Sequence, residues 1–475
     1  MNIESTAMDY FEKICSIPHG SGNTERLAEY CCGVAEKLGL WYKKDAYNNV
    51  IIKKNAGQGM QTREPVIIQG HLDMVCAKED GCKTDFEKEG IKIVREGDFL
   101  RAQGTTLGGD DAVAVAYALA ILSDDKTAYP PLEVIFTSDE ETGMDGALNI
   151  DLTEIKGRRL INIDSEEEGI FTAGCAGGAR ADILFELKKT AVNGKKIRIT
   201  AGGLTGGHSG TQINLGGLNA NKVAAELLYE ICQKYGASII SFNGGEKDNA
   251  IPVKAEAFIA VAGDKAPMAE NLAQNLAEKI KANAKADPHI YIDAEIMGDY
   301  SGDAFCEADS KRVSEAFYNF KNGVISMDEN ADGLVKTSLN LGVLKTDEGG
   351  ISAVISTRSN STAELCRLND DLKCRAEKYG AKFALGSEYP AWEYVKKSPL
   401  RDVMSEVYRR QYGSEPVVTC IHAGLECGIF AGKLKGLDAV SIGPEIYDIH
   451  TARERLSVPS FYRVLNFLTE VLKEL

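Results

Sequence analysis

Short apolar segments alternate with helical segments through the first 180 residues, and this alternation limits the possible folds more than any other feature. Segments rich in β-branched residues and bounded by turn residues occur at 50–53, 66–69, 132–137 and 160–163. Helical patterns occur at 23–38 and 111–122. Strands that alternate with helices favour a mixed, largely parallel sheet flanked by helices, so we predict an α/β domain.

The end of the chain repeats this organisation, whereas the middle differs from it. A helix is predicted at 399–412, strands are predicted at 416–421 and 437–442, and an amphipathic helix is predicted at 459–475. Between 181 and 389, helices and strands, with strands predicted at 196–200 and 290–296 among them, are joined by long polar connections. We therefore predict that an α+β insertion at 181–389 divides a single domain formed by 1–180 and 390–475.

Charge and hydrophobicity exclude several classes of partner. The 475 residues include 54 Lys and Arg against 70 Asp and Glu, a net charge of −16, and they contain no basic run that would bind nucleic acid or an anionic membrane. The longest apolar segment, 112–122, is much shorter than the roughly 20 residues that span a bilayer. Residues 1–4 lack the pattern of a secretory signal, so we expect a cytoplasmic protein.

The predicted strands of the first domain end in residues that can bind a metal ion. The second strand runs into His71 and Asp73, and the third runs into Glu140 and Glu141. The fourth ends at Asp164. Because α/β proteins bind their ligands at the carboxyl ends of parallel strands, we expect these side chains to lie together.

Two further segments extend this set. Asp110 and Asp111 lie at the start of the apolar helix, and His450 lies in a polar loop before the last helix. Each feature alone has an ordinary explanation, namely a hydrogen-bonded histidine, a capped helix or a solvated acidic loop. Together, histidines and carboxylates without thiolates favour Zn²⁺, Mn²⁺ or Co²⁺ at a hydrolytic site, where two ions would share a carboxylate.

These motifs resemble those of the co-catalytic dizinc metallopeptidases, a family that includes aminoacylases, glutamate carboxypeptidase and the Xaa-His dipeptidases. The resemblance extends over nearly the whole chain and rests on HLDMV, TTLGGDD, TSDEETG, NIDSEEEG, GGLTGGHSG, HAGLECG and HTARERLSV. It implies a dizinc exopeptidase catalytic domain formed by 1–180 and 390–475. It also implies that the α+β insertion at 181–389 is a lid and dimerisation domain.

The resemblance assigns roles to single residues. It implies two divalent ions, zinc in the first place and Mn or Co as alternatives, with Glu140 as general base and Asp73 orienting the first histidine. The implied ligands are His71, Asp110 and Asp164 for one ion and Asp110, Glu141 and His450 for the other. Where the family commonly has Gly-Ala-Asp-Asn-Gly, this chain has Gly-Gly-Asp-Asp-Ala, so Asp111 competes with Asp110 for the bridging position.

Further residues are implied to contact the substrate. His208 would polarise the scissile carbonyl, Arg358 would hold the C-terminal carboxylate, and Asn249 and Gly424 would line the pocket. His208 can reach the ions only if the lid closes or a partner subunit supplies it, and the resemblance favours a homodimer. The glycine-rich loop at 202–210 lacks the lysine of a phosphate-binding loop, so nucleotide binding is disfavoured.

The implied reaction is hydrolysis of dipeptides with a free N-terminal amine, Xaa-His included, by a water between the two ions that Glu140 activates. An aminoacylase or deacylase that acts on N-acyl amino acids is the alternative, because the ligand set is shared across the family. A metal-free peptide-binding scaffold is disfavoured, because a scaffold has no use for a base at this position.

Overall fold

The computed structural model describes residues 2–328 and 333–475. Within them, internal contacts divide the chain into two units, each with its own hydrophobic core. The first unit comprises the chain up to Cys175 together with Trp392–Cys420 and Leu425–Leu475. The second unit comprises Ala176–Ala391 and the short segment Ile421–Gly424. The inserted segment therefore forms a unit of its own, to which four residues from the C-terminal part are added.

The described residues form the following elements. The helices are α1 (Ile3–Cys15), α2 (Glu25–Lys37), α3 (Gly109–Ser123), α4 (Asp145–Asn149), α5 (Ala220–Tyr235), α6 (Ala266–Asn283), α7 (Glu307–Asn319), α8 (Thr362–Lys378), α9 (Pro399–Tyr412), α10 (Glu426–Lys433) and α11 (Val458–Glu474). The strands are β1 (Trp41–Lys44), β2 (Val50–Lys54), β3 (Val66–His71), β4 (Ile93–Glu96), β5 (Phe99–Ala102), β6 (Leu132–Thr137), β7 (Arg159–Asn162), β8 (Ile170–Cys175), β9 (Gly177–Glu186), β10 (Lys189–Gly202), β11 (Ser238–Gly244), β12 (Ala255–Val261), β13 (Tyr291–Phe305), β14 (Gly323–Met327), β15 (Val335–Asp347), β16 (Gly350–Ser359), β17 (Lys382–Tyr389), β18 (Val417–Ile421), β19 (Asp438–Ser441), β20 (Ile446–Tyr447) and β21 (Arg455–Ser457).

The first unit is built on an eight-stranded sheet with the order β1-β2-β6-β3-β7-β19-β8-β18. The central strands β6, β3, β7 and β19 pair in parallel, whereas β1 with β2, β2 with β6 and β8 with β19 pair in antiparallel orientation. The predicted mixed α/β class is confirmed, and the strands at the centre of the sheet pair in parallel. The carboxyl ends of β3, β6 and β7 consequently lie side by side.

Helix α3 lies in the centre of the first core. Every residue from Asp111 to Leu122 is buried, and the helix packs against α1 and β3. A helix without a polar face has to be enclosed by protein, which explains why this segment is apolar all round. The hydroxyl of Tyr117 donates a hydrogen bond to the carbonyl of Phe461 at 2.5 Å and is thereby satisfied inside the core. The site at the start of α3 thus rests on a fixed, buried element.

The second unit has the α+β character that the sequence predicts. Its strands form an antiparallel sheet with the order β13-β10-β12-β11-β15-β16-β9-β17, and β14 pairs with β15. Helices α5, α6 and α8 pack against strands of this sheet. Among the described residues of both units, no helix combines the length and the apolar character that crossing a bilayer requires.

A small sheet of the first unit supports two loops that reach the site. Its strand order is β20-β21-β5-β4. The loop that follows β5 leads to Asp110, and the loop between β20 and β21 contains His450. Leu456 pairs with Leu100 in the antiparallel ladder between β21 and β5. The two loops are therefore attached to neighbouring, hydrogen-bonded strands.

Candidate metal centre

Three of the predicted ligands meet at the carboxyl edge of the parallel strands. Nε2 of His71, at the end of β3, lies 3.0 Å from Oδ1 of Asp110 and 3.5 Å from Oδ1 of Asp164. The ligand atoms of these residues, which we call the His71 group, lie within 4.8 Å of one another. One metal ion can therefore contact all three side chains.

Asp110 also belongs to a second group, the His450 group, which it forms with Glu141 and His450. Nε2 of His450 lies 3.2 Å from Oδ2 of Asp110 and 3.0 Å from Oε1 of Glu141. These ligand atoms again lie within 4.8 Å of one another. Because the two oxygens of Asp110 face different histidines, its carboxylate has the arrangement of a bridge between two ions.

The neighbouring Asp111 belongs to neither group. Its carboxylate accepts hydrogen bonds from the backbone N–H of His71 at 3.0 Å and of Ala114 at 3.3 Å. The contact with Ala114 satisfies one of the free N–H groups in the first turn of α3. The carboxylate of Asp111 therefore binds backbone N–H groups at the start of α3 and the end of β3. The geometry favours Asp110 as the bridging residue.

Asp73 links the end of β3 to the segment that contains the predicted base. Its carboxylate accepts hydrogen bonds from the backbone N–H of Glu140 at 3.0 Å and of Glu141 at 3.3 Å. Nδ1 of His71 lies 3.0 Å from the backbone carbonyl of Asp73 and 3.4 Å from its carboxylate. Since a carbonyl only accepts hydrogen bonds, the proton of the neutral imidazole sits on Nδ1. Nε2 is then free to act as a ligand.

Buried negative charge is concentrated around these residues. Burial, followed by the charge of Asp164, raises the pKa of Glu140 well above its usual value, and burial raises the pKa of Asp164 to about 6. At Asp110 burial is outweighed by the imidazoles of His450 and His71 beside its carboxylate, so its pKa is lowered. The carboxylates of Asp110 and Glu141 beside the His450 imidazole raise the pKa of His450 to about 11. Divalent cations would relieve this crowding of carboxylates.

The donor atoms present fit divalent metal ions. Oε1 of Glu141 is buried and faces Nε2 of His450 without forming a hydrogen bond. Buried carboxylate oxygens normally have a partner, and a cation between these two atoms would provide one. The mixture of imidazole nitrogen and carboxylate oxygen suits Zn²⁺, Mn²⁺ and Co²⁺.

Within the second unit, His208 and Asn249 are neighbours. The backbone N–H of Ser209, the residue after His208, donates to the carbonyl of Asn249 at 2.8 Å. His208 and Asn249 both line a cleft of about 760 Å³. Nδ1 of His208 accepts N–H groups of Gly210 and Thr211 at 3.3 and 3.2 Å. The neutral ring therefore has its proton on Nε2, which can donate to a carbonyl oxygen. Gly207 precedes the histidine at φ +126°, a conformation that requires glycine.

Arg358 lies near the end of β16 and is buried, with an exposed fraction of 7% for the residue as a whole. It donates to the hydroxyl of Tyr389 at 3.0 Å, its Nε has no hydrogen-bond partner, and it forms no ion pair among the described residues. A buried, unneutralised guanidinium is costly unless an anion binds to it. This environment distinguishes Arg358 from an ordinary surface arginine.

His422 and Gly424 belong to the segment that joins the second unit, and sequence reasoning gave His422 no role. Nε2 of His422 lies 2.7 Å from the hydroxyl of Ser338, and Nδ1 lies 2.8 Å from Oδ1 of Asn360. Burial and the charge of Arg358 lower the pKa of His422 to about 4. The ring is therefore neutral and fixed at both nitrogens. The HAGLECG motif marks this segment, but nothing in its spacing indicates these contacts.

Two buried glutamates near the metal centre were also missed. Glu426, at the start of α10, accepts hydrogen bonds from Gln69 at 2.5 Å and Thr137 at 2.6 Å. Glu454 accepts hydrogen bonds from three consecutive backbone N–H groups that precede Asp110. Their partners are distant in sequence, so periodicity and spacing carry no signal for either contact.

Comparisons with known proteins agree with this geometry. The model of peptidase family M20/M25/M40 matches residues 67–474. The chain is 38% identical over 471 residues to the cytosol non-specific dipeptidase of Escherichia coli (strain K12). These residues cover 98% of this chain and 97% of the relative. The crystal structure of aminoacylhistidine dipeptidase from Vibrio alginolyticus has 33% identity and a TM-score of 0.89, with 99% of this chain and 96% of that chain covered.

A more distant structure shares the fold alone. Human carnosine dipeptidase 1 has 13% identity and a TM-score of 0.53, with 99% of this chain and 97% of that chain covered. The resemblance that the sequence motifs indicate is confirmed at the level of the family. The chain belongs to peptidase family M20/M25/M40 and is thus a member of a family of metal-dependent peptidases.

Proposed function

We propose that this chain is a dizinc dipeptidase that hydrolyses dipeptides with a free N-terminal amine, Xaa-His included. The observation that carries the proposal is the pair of ligand groups that share Asp110, in a chain of this family. The substrate class comes from the similarity to a non-specific dipeptidase and an aminoacylhistidine dipeptidase. We also place the protein in the cytoplasm, because the Escherichia coli relative is named a cytosol enzyme.

In the proposed mechanism the first unit is the catalytic domain, and its two ligand groups would each hold one ion. When bound, the ions polarise the scissile carbonyl and lower the pKa of water. Glu140 takes the proton of the attacking water and passes it to the leaving amine. His208, in the second unit as lid, donates from Nε2 to the developing oxyanion.

Three residues of the second unit are proposed to contact the substrate. Arg358 pairs with the C-terminal carboxylate, for which its planar fork is suited. Asn249 and Gly424 line the pocket around the peptide.

A panel of substrates tests the proposed function. Free dipeptides, including Xaa-His, are compared with N-acetyl amino acids on the metal-loaded protein, and we expect clear turnover of the dipeptides only. Preferential cleavage of the N-acetyl amino acids would instead identify an aminoacylase or deacylase. Elemental analysis of the same sample should find about two divalent ions per chain.

The role of Arg358 predicts discrimination against amidated dipeptides. The wild-type enzyme should have a much higher kcat/KM for a free dipeptide than for its C-terminal amide, because only the acid pairs with the guanidinium. Arg358→Ala should bring the ratio of the two values close to one. The ratio is informative even if the variant is less stable, because acid and amide are measured on the same preparation.

Arg401 provides a matched control. It is as buried as Arg358, with an exposed fraction of 6%, but its guanidinium donates to the carbonyls of Val395 and Lys396. Arg401→Ala should therefore leave the acid to amide ratio unchanged. Equal cleavage of dipeptide acids and amides by the wild-type enzyme would show that Arg358 does not bind the C-terminal carboxylate.

We further propose a homodimer in which one subunit supplies His208 to the catalytic domain of the other. Mixing the inactive variants His208→Ala and Glu140→Gln should restore activity, because the mixed dimer contains one intact combination of the two units. At equal amounts and full exchange we expect about a quarter of the wild-type activity, since half of the dimers are mixed and each has one intact site.

A second mixture serves as the control. Glu140→Gln and Glu141→Gln both change the first unit, so no arrangement of their subunits contains an intact site and no activity should return. Subunit exchange is verified with mass-tagged chains. Absence of recovery in the first mixture despite verified exchange would mean that each chain uses its own His208.

A further inference from the structure

Glu454 joins the two loops that bring Asp110 and His450 to the metal centre. Its side chain is 2% exposed, and its carboxylate accepts the backbone N–H groups of Leu107 at 2.8 Å, Gly108 at 3.0 Å and Gly109 at 2.7 Å. Asp110 directly follows these three donors. Glu454 itself lies four residues after His450, at the end of the loop between β20 and β21.

The loop of His450 is held together mainly by its own contacts. The hydroxyl of Thr451 donates to the carbonyl of Asp448 at 2.7 Å and accepts the N–H of Arg453 at 3.1 Å. Arg455 forms an ion pair with Asp448. These contacts set the shape of the loop but do not fix its distance from Asp110. The side chain of Glu454, at the end of this loop, accepts hydrogen bonds directly from the backbone of the segment that leads into α3.

We propose that Glu454 is a positioning residue that fixes the distance between the carboxylate of Asp110 and the imidazole of His450. A carboxylate suits this task, because its two oxygens can accept three N–H groups at once. The charge also strengthens each of these hydrogen bonds. This inference rests on the proposed function, since it assumes that the two side chains hold a metal ion together.

The close packing around the carboxylate supports this assignment. A Cβ atom at Gly109 would lie 3.2 Å from Oε1 of Glu454 and 3.6 Å from Cδ1 of Ile446. Glycine at this position therefore lets the carboxylate approach the backbone. The contact transmits small displacements of one loop to the other, which is the property that a positioning residue requires.

Glu454→Gln tests the proposal through metal binding rather than activity. The amide has a single accepting oxygen, and its NH2 group would face N–H donors, so the three-fold contact is lost. We expect one of the two Zn²⁺ ions to bind about 10- to 100-fold more weakly when the metal-free protein is titrated in competition with a chelator. The weakened ion should be the one whose binding is lost in Glu141→Gln, because Glu141 belongs to the His450 group alone.

Glu133 offers a matched control in the same unit. It is also a buried glutamate, and its carboxylate accepts the N–H groups of Lys156, at 3.1 and 3.0 Å, and Gly157, at 2.8 Å. It lies near the start of β6, whereas the metal centre lies beyond the end of that strand. Glu133→Gln should therefore leave both Zn²⁺ affinities at the wild-type value, even if it lowers the melting temperature.

The outcomes separate the inference from the function on which it rests. If wild-type protein binds two Zn²⁺ ions and Glu454→Gln binds both with unchanged affinity, the positioning role is wrong while the dizinc site stands. If wild-type protein binds no Zn²⁺, both are wrong. Should Glu454→Gln fail to fold, Gly109→Ala perturbs the same contact with the charge retained, and it should weaken the same ion. Unchanged binding in Gly109→Ala would then overturn the proposal.

Discussion

Asp110→Asn should release both metal ions, whereas Asp111→Asn should retain them. The two oxygens of Asp110 face Nε2 of His71 and of His450, so this side chain is common to both ligand groups. An asparagine has only one oxygen that can bind a cation and lacks the negative charge between the ions. We expect the metal content to fall from about two ions per chain to near zero, with loss of turnover.

The Asp111→Asn variant is a close control, because it makes the same chemical change at the adjacent residue. Its new amide can still accept one of the two hydrogen bonds, from His71 or from Ala114, and asparagine caps helices as well as aspartate does. Metal content is measured by elemental analysis after gel filtration, and circular dichroism verifies the fold. Equal metal loss in both variants would leave the bridging position unassigned and contradict our assignment of Asp110.

The ends of the central strands were predictable because two independent signals agree there. The segments at 66–69 and 132–137 have the β-branched composition of buried strands, and the second residue after each is a histidine or an acid. Once the strands are parallel and adjacent, these side chains have to meet at one edge. The structure places β6 beside β3 and β3 beside β7, so the predicted convergence follows from strand order.

Elements without a clear hydrophobic period were predicted less well. Strand β10 was predicted only at 196–200, although it spans Lys189–Gly202, and β13 extends to Phe305 instead of ending at 296. The additional segments pair with each other from Lys189 with Phe305 to Lys195 with Asp299, and most of their residues are exposed or half-buried. Backbone hydrogen bonds define these extensions, and side-chain patterns do not reveal such bonds.

Other omissions have different physical reasons. Helix α1 buries Ala7, Phe11, Ile14 and Cys15, which recur at helical spacing, so periodicity alone could have identified it. Helix α10 contains two glycines within eight residues, and its sequence has low intrinsic helix propensity. Burial of residues such as Phe430 against the rest of the first unit stabilises it instead. Tertiary packing of this kind is absent from a local sequence pattern.

Glu140→Gln should keep both metal ions and the fold while lowering kcat by at least about 10²-fold, the usual effect of removing a positioned proton-transfer group. Glutamine has the shape of glutamate but cannot accept the proton of the attacking water. Metal binding should persist, because Glu140 belongs to neither ligand group. Its backbone N–H, which donates to Asp73, is also unchanged by the substitution.

The adjacent residue makes this result diagnostic. Glu141→Gln should also lower activity, but through reduced metal content, because Oε1 of Glu141 faces His450 in the second ligand group. Adding excess Zn²⁺ should therefore restore part of the activity of Glu141→Gln and none of the activity of Glu140→Gln. Near-normal turnover in Glu140→Gln would mean that another group accepts the proton. Metal loss in that variant would mean instead that Glu140 is a ligand, since a base that contacts only water and substrate does not determine metal affinity.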